Sequence, residues 1–248
     1  MIHKISKSNL EVIKNRYFFT KKFLKNKKIL EIGCGFGIGF SYLYESCKEY
    51  LGIDNNSTQI DLAKRRHKDH SSKFKNLELS QLKDIDQKFD VILCLATVYY
   101  LDINNFLEIS KKLLNDDGQI IFDTSNKNIP GFDSSWDNQS NYYQVFELNN
   151  ILNNHGFESQ FYGAFYIDNI HKVEKTQKIR TFIKKIFNFL HLDFIKKMIV
   201  FFTDKKFHIL PHSIQTIMKN YNYNFQSISP TQKCHDYKVI FITSKLRK

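Results

Sequence analysis

No uncharged apolar stretch in the 248-residue chain comes near the roughly 20 residues needed to cross a bilayer. Val91 to Leu101 is the longer of two short runs, and Met198 to Phe202 is the other. A membrane span is therefore not expected. Nor is there a continuous apolar N-terminal region of the secretory kind. His3, Lys4, Lys7, Glu11, Lys14 and Arg16 interrupt it, which predicts a cytoplasmic protein. Cysteine is scarce: Cys34, Cys47, Cys94 and Cys234 form no CxxC pair, so neither a zinc site nor a disulfide framework is expected, and no metal is called for. What is abundant is apolar and aromatic. Hydrophobic residues make up 42% of the chain, with 23 Phe and 13 Tyr, which excludes a disordered protein. This length suits one α/β domain with an elaboration.

The formal charge of +12 is unevenly placed. Residues 1–170 hold 21 basic and 21 acidic side chains, whereas residues 171–248 hold 16 and 4, so the C-terminal third carries the whole excess. Such a segment suits phosphates on a nucleotide, nucleic acid or anionic lipid, or is an ordinary solvated face.

Strand and helix signals alternate from the start. A helix is predicted over residues 9–25, with Ser8 and Asn9 as caps, followed by a strand at Lys28–Ile32. Further strands are predicted at Tyr50–Ile53, Asn76–Leu79, Phe89–Cys94 and Gln119–Asp123. Helices are predicted at Phe40–Ser46, Ile60–His67 and Asn104–Leu114, the last stopped by a turn at Asn115–Gly118. This alternation predicts an α/β fold with a doubly wound parallel sheet and ligands at the carboxyl ends of its strands. Residues 124–141 read as a rim loop, Tyr143–Asn154 as a helix, Phe157–Tyr166 as a strand and Tyr237–Thr243 as the last strand. Residues 171–227, with Ile179, Phe182, Ile183, Ile186, Phe187 and Leu190 spaced helically among lysines, read as a basic helical insert. The expected division is a core of 1–170 plus 228–248 and an insert of 171–227.

The sharpest local signal is Glu31-Ile32-Gly33-Cys34-Gly35-Phe36-Gly37-Ile38-Gly39 between a strand and a helix. Ile38 and Phe40 break a GxGxxG dinucleotide fingerprint in either register, and no GxxxxGK[ST] phosphate loop exists. What stands is GxGxG, with an acid two residues before it and Asp54 ending the next strand. That carboxylate is placed to accept both hydroxyls of a ribose.

On these residues the sequence resembles the class I S-adenosylmethionine-dependent methyltransferases, whose first motif is an acid followed by GxGxG. The resemblance implies a Rossmann-like sheet and S-adenosylmethionine as cofactor. It implies that Gly33, Cys34, Gly35 and Gly37 pack against the adenosyl and methionine portions. Glu31 would order that loop or meet the amino group, and Asp54 with Asn55 would hold the ribose. Gln81 and Leu82 stand where the family meets adenine, although Gln81 replaces the usual acid. Cys94-Leu95-Ala96-Thr97-Val98-Tyr99-Tyr100 matches the fourth motif, which brings Leu95 to the cofactor, with two tyrosines where many relatives carry an acid and a histidine. Arg16-Tyr17 resembles a pair found in methyltransferases encoded with bacterial surface-glycan genes, where the arginine would pair with the cofactor's carboxylate.

Methyl transfer is an in-line displacement governed by alignment in a water-excluding site, and an oxygen nucleophile gains from a general base. The candidates are Asp123, Asp133, His171, His208 and His212, with Tyr99, Tyr100, Tyr142, Tyr143 and Trp136 as walls. An Asn-Pro-Pro-Tyr motif is missing, which argues against methylation of nucleic-acid bases. The expectation is an O-methyltransferase acting on a small-molecule or glycan acceptor, a sugar or phosphate-linked group of bacterial surface-polysaccharide (capsule) biosynthesis. An RNA methyltransferase, and a cofactor-binding scaffold resting helices 179–202 on anionic lipid, are the alternatives.

Overall fold

The structure is a computed structural model that describes residues 4–129, 132, 141–167, 207–209, 211, 213–231 and 233–248. Strand β1 (Lys4–Ser6) leads into helix α1 (Lys7–Lys21). The helix begins earlier than the sequence suggests because Ser6, not Ser8 or Asn9, is the cap, its hydroxyl accepting from the Asn9 amide at 3.2 Å. Then come β2 (Lys28–Ile32), α2 (Phe40–Tyr44), β3 (Glu49–Asp54), α3 (Ser57–Arg66) and β4 (Phe74–Asn76). The β4 strand replaces the one expected at Asn76–Leu79. Phe74 is its buried anchor, packed on Phe40, His67 and Tyr50, and residues 79–84 coil instead into a 3₁₀ turn.

Strand β5 (Phe89–Cys94) and helix α4 (Ile103–Leu113) follow, the helix capped by Asp102 and burying Ile103, Phe106, Leu107, Ser110 and Leu113 along one stripe. No free turn separates α4 from the next strand. Strand β6 runs Leu114–Ser125, and the expected turn is taken into its ladder as a register shift against Phe89 and Val91. Helix α5 (Val145–Asn154), β7 (Phe157–Tyr166), β8 (Phe207–Ile209), β9 (Gln226–Ile228) and β10 (Tyr237–Leu246) complete the elements named here.

One eight-stranded sheet has the order β4-β3-β2-β5-β6-β10-β7-β9. The first five strands are parallel, as expected. The sheet is not parallel throughout, because β10 is antiparallel to both β6 and β7, and β9 is antiparallel to β7. Two apolar layers enclose it. Phe106, Leu107, Leu148 and Leu152 of α4 and α5 pack on one face, and Tyr17, Phe19, Phe40 and Ile60 of α1 to α3 on the other.

The helices predicted within 171–206 lie outside the described residues. From 207 onward the described part of that stretch holds no α-helix. It is a strand (β8) paired with β1, a 3₁₀ turn at Ile214–Ile217 and the polar edge strand β9, which belongs to the main sheet. Ile214 is buried among the α1 to α3 face, and its amide donates to the Ile38 carbonyl at 3.0 Å. The segment entering between β7 and β10 thus braces the glycine turn.

Candidate functional site

The glycine turn leaves the carboxyl end of β2 and hangs on β3, for the Gly33 and Cys34 amides both donate to the Ile53 carbonyl, at 2.8 and 3.0 Å. Gly33, Gly35 and Gly37 all have positive φ. The reasons for glycine differ along the turn. A Cβ on Gly33 would sit 2.1 Å from the Thr97 hydroxyl, and one on Gly39 would sit 1.9 Å from the Tyr17 ring, so these glycines allow packing. A Cβ on Gly35 would meet nothing within 4 Å. There the backbone, at φ +53°, faces open space.

Asp54 closes β3 beside it. One carboxylate oxygen accepts from the Gly35 amide and the other from the Asn56 amide, each at 2.9 Å. Next to this clamp lies a cavity of about 500 Å³, walled by Gly33, Asp54, Asn55, Leu77, Leu79 and the Thr97–Leu101 turn. Gln59 also lines it, and its side-chain oxygen is buried without a partner.

Glu31 lies beneath the turn, fully buried, accepting hydrogen bonds from the hydroxyls of Tyr17 (3.3 Å) and Tyr50. Burial raises its pKa to about 7, although the two tyrosine hydrogen bonds pull the other way. Burial, with Glu31 beside them, pushes both tyrosines well above their ordinary value, and burial does the same to the Cys34 thiol, which is therefore a neutral packing group. Tyr17 props the turn from below and does not line the cavity.

The other expected cofactor residues divide. Gly33, Gly35, Asp54 and Asn55 come together at the cavity. Leu82 is fully buried in the opposite core layer, and the Gln81 side chain is turned into a capping box with Glu78, so Leu77 and Leu79 occupy the wall expected of them. Cys34 and Leu95 are buried behind the turn. Thr97, Tyr100 and Leu101 line the cavity although the sequence reading gave them no cofactor role; their place just after β5 is the one signal that could have found them.

Arg16 is paired within the protein. Its Nε donates to Asp123 at 2.9 Å, while the other Asp123 oxygen accepts from the Ala96 amide, also at 2.9 Å. Burial would lower the Arg16 pKa, but Asp123 more than offsets it and the value rises. Both oxygens of the fully buried Asp123 are thus committed, and the general-base role expected of it is not one this geometry serves. Asp133, His171, His212 and Trp136 lie outside the described residues, and His208 is on β8, where its backbone pairs with Ile5. Among the described residues no three His, Cys, Asp or Glu side chains gather as a metal site.

On the far side of the Thr97–Leu101 turn the wall is aromatic. Tyr99 stacks on Tyr142 at 5.2 Å and touches Tyr100 at 4.6 Å, and Phe132 meets Tyr142 edge-on at 4.9 Å. A second cavity of about 910 Å³ opens there, between Phe132, Tyr142 and Tyr143 with Lys127 and Glu147. Burial raises the Tyr99 phenol, which stays neutral near pH 7.

A solved structure described as a SAM dependent methyltransferase from Archaeoglobus fulgidus superposes with a TM-score of 0.60 over 95% of this chain and 94% of that one, at 15% identity. A possible histamine N-methyltransferase from Thermotoga maritima does so with a TM-score of 0.56 over 96% and 91%, at 10% identity. The fold is that of the S-adenosylmethionine-dependent methyltransferases. Residues 30–120 match the methyltransferase domain family, covering β2 to β6 with the glycine turn and Asp54. Among curated proteins, the ubiquinone biosynthesis O-methyltransferase of Pelagibacter ubique is 36% identical over 114 residues, 45% of this chain and 47% of the relative. The fatty-acid O-methyltransferase of Mycolicibacterium smegmatis is 30% identical over 102 residues, 40% and 37% of the two. The chain spans about half the length of the curated relatives it matches, or less.

S-adenosylmethionine is the cofactor that the glycine motif leads one to expect, and the residues present fit it. The open space over Gly35 and the Asp54 carboxylate stand beside a cavity of about 500 Å³, a size and polarity that suit it. Asp54→Ala is expected to weaken S-adenosylhomocysteine binding roughly 10- to 150-fold, or about 1.5–3 kcal/mol, because it removes charged hydrogen bonds to ligand and turn. Titration calorimetry measures this, and an unchanged Kd removes Asp54 from the site.

Proposed function

We propose that this protein is an S-adenosylmethionine-dependent O-methyltransferase whose acceptor is the hydroxyl or carboxyl oxygen of an apolar small molecule. The observation that carries the reading is the open face of Gly35 held by Asp54, beside a cavity that Asp54 lines and whose wall includes Tyr100, itself in contact with Tyr99. Gly33, Gly35, Asp54, Asn55 and Gln59 would hold the cofactor, which when bound supplies an electrophilic methyl group. Tyr99, Tyr142 and Phe132 would then orient the acceptor and keep water away from it. The sugar acceptor expected from the sequence finds no support in the relatives reported above, which are named for ubiquinone biosynthesis and for fatty acids. An aromatic wall beside the larger cavity agrees better with a ring or chain than with a phosphate-bearing sugar.

The test is methyl transfer to three panels, catechols and phenols, fatty acids, and nucleotide sugars, read by mass. The expected result is addition of one methyl group within the first two panels. Transfer confined to nucleotide sugars would return the acceptor to a glycan precursor. Tight S-adenosylhomocysteine binding without turnover on any panel would favour a scaffold.

A further inference from the structure

Between the two cavities the chain from Leu95 to Leu101 makes a single turn, and its faces serve different purposes. Thr97, Tyr100 and Leu101 wall the cofactor cavity, while Tyr99 stacks on Tyr142 at the acceptor side. The turn is not held by its own conformational preference, for Ala96 sits at φ +56°, a left-handed value that a residue with a side chain avoids. Within the turn the Thr97 hydroxyl donates to the Leu95 carbonyl at 3.0 Å and the Tyr100 amide to the Thr97 carbonyl at 2.9 Å, and the strained Ala96 is held from outside as well. The Ala96 amide donates to Asp123 at the carboxyl end of β6, and the same carboxylate binds Arg16 from α1. Beyond the turn, the Asn141 amide donates to the Tyr99 carbonyl at 2.6 Å, which carries the connection to Tyr142.

We propose that Asp123 is a positioning residue for methyl transfer, whose carboxylate, charge-balanced by Arg16, fixes the Ala96 turn so that the cofactor cavity and the Tyr99–Tyr142 wall keep one relative placement. This rests on the methyltransferase reading. Asp123 is fully buried and lines neither cavity. Among the described residues the cation paired with it is Arg16 of α1, so α1, β5 and β6 are tied at one buried point. Arg16 accordingly serves the fold's interior partner, where the sequence suggested the cofactor's carboxylate.

The experiment measures backbone hydrogen exchange with and without S-adenosylhomocysteine in the full chain, alongside calorimetric Kd and Tm. In the wild type the ligand is expected to slow exchange in residues 95–101 and also in 141–143. In Asp123→Asn, which keeps an acceptor for Ala96 but loses the charge, Kd is expected within fivefold of wild type, while the slowing at 141–143 disappears. Arg16→Lys should keep the wild-type pattern in part, and Arg16→Met should lose it. Wild-type protection at 141–143 in Asp123→Asn overturns the proposal, and so does a loss of binding that only follows a lowered Tm. If the wild type itself fails to bind S-adenosylhomocysteine, the methyltransferase reading falls. Equal exchange of 95–101 in the ligand-free wild type and Asp123→Asn then overturns the positioning role as well.

Discussion

Gly35→Val is expected to abolish S-adenosylhomocysteine binding, raising Kd at least 100-fold, while the far-ultraviolet circular dichroism spectrum stays that of the wild type. Two effects add. A β-branched residue resists φ +53°, at a cost of about 1–3 kcal/mol in the fold. Its side chain then projects into the space above the turn, where nothing of the protein lies within 4 Å of an added Cβ. In the folded protein that space is free to receive it, so the damage falls on whatever ligand uses it. Gly39→Val is the contrasting variant, since its Cβ would strike the Tyr17 ring at 1.9 Å and dislodge the prop beneath the turn. That variant should lose several degrees of Tm as well as binding. Calorimetry showing ordinary affinity for Gly35→Val would mean that the ligand does not approach the turn at all.

The sequence was most readable where covalently local rules decide the structure. The strands at Lys28–Ile32 and Phe157–Tyr166 stand as predicted, because short runs bounded by Gly, Asn and charged residues leave few alternatives. The GxGxG turn and the acid ending the next strand were legible for the same reason: both depend on backbone conformation and strand alternation. The strands β7 and β10 were expected, but their antiparallel pairing and the edge strand β9 were not legible. Gln226-Ser227-Ile228 is too short and polar to show a period, and only pairing with Phe161–Gly163 makes it a strand. Phe74 escaped notice likewise, since a single aromatic anchors β4 through its contacts with Phe40 and His67, not through a pattern.

The candidate site shows the same divide more sharply. Arg16 and Asp123 were both singled out, one for the cofactor and one as a base, yet they are each other's partner across 107 residues of chain. Each residue type was informative, but the pairing belongs to the tertiary structure. Gln81 was given to adenine by its place in the motif, and a capping box with Glu78, three residues before it, took its side chain elsewhere. Local hydrogen bonding outcompeted the role that position suggested.

The protein should lose stability as pH rises from about 4.5 to 7 in a way that Glu31→Gln removes. Glu31 is buried under the glycine turn, and burial raises its pKa from 4.5 to about 7. Between those values the folded protein holds a proton that the unfolded chain has released, so the folded state binds more protons and each step up in pH favours unfolding. The stabilisation is fully present below pH 4.5 and is lost as pH passes through 7. At about 1.4 kcal/mol per pH unit, the loss approaches ~3 kcal/mol, or roughly 6–12 °C in Tm for a chain of this size. Asp90 works in the opposite sense. Burial raises its pKa but hydrogen bonds from Lys28 and Asn115 bring it below the usual value, so its contribution disappears only in stronger acid. The measurement is thermal unfolding of wild type and Glu31→Gln from pH 4.5 to 8, with the difference in Tm isolating this one group. Relative to wild type, the glutamine variant should gain Tm steadily across the window. Tyr50→Phe should move the midpoint of that difference to higher pH, because the Tyr50 hydroxyl favours the ionised form. A difference that is the same at pH 5 and pH 8 would show that Glu31 ionises in the fold as it does in the open chain, with a cation held close enough to offset its burial.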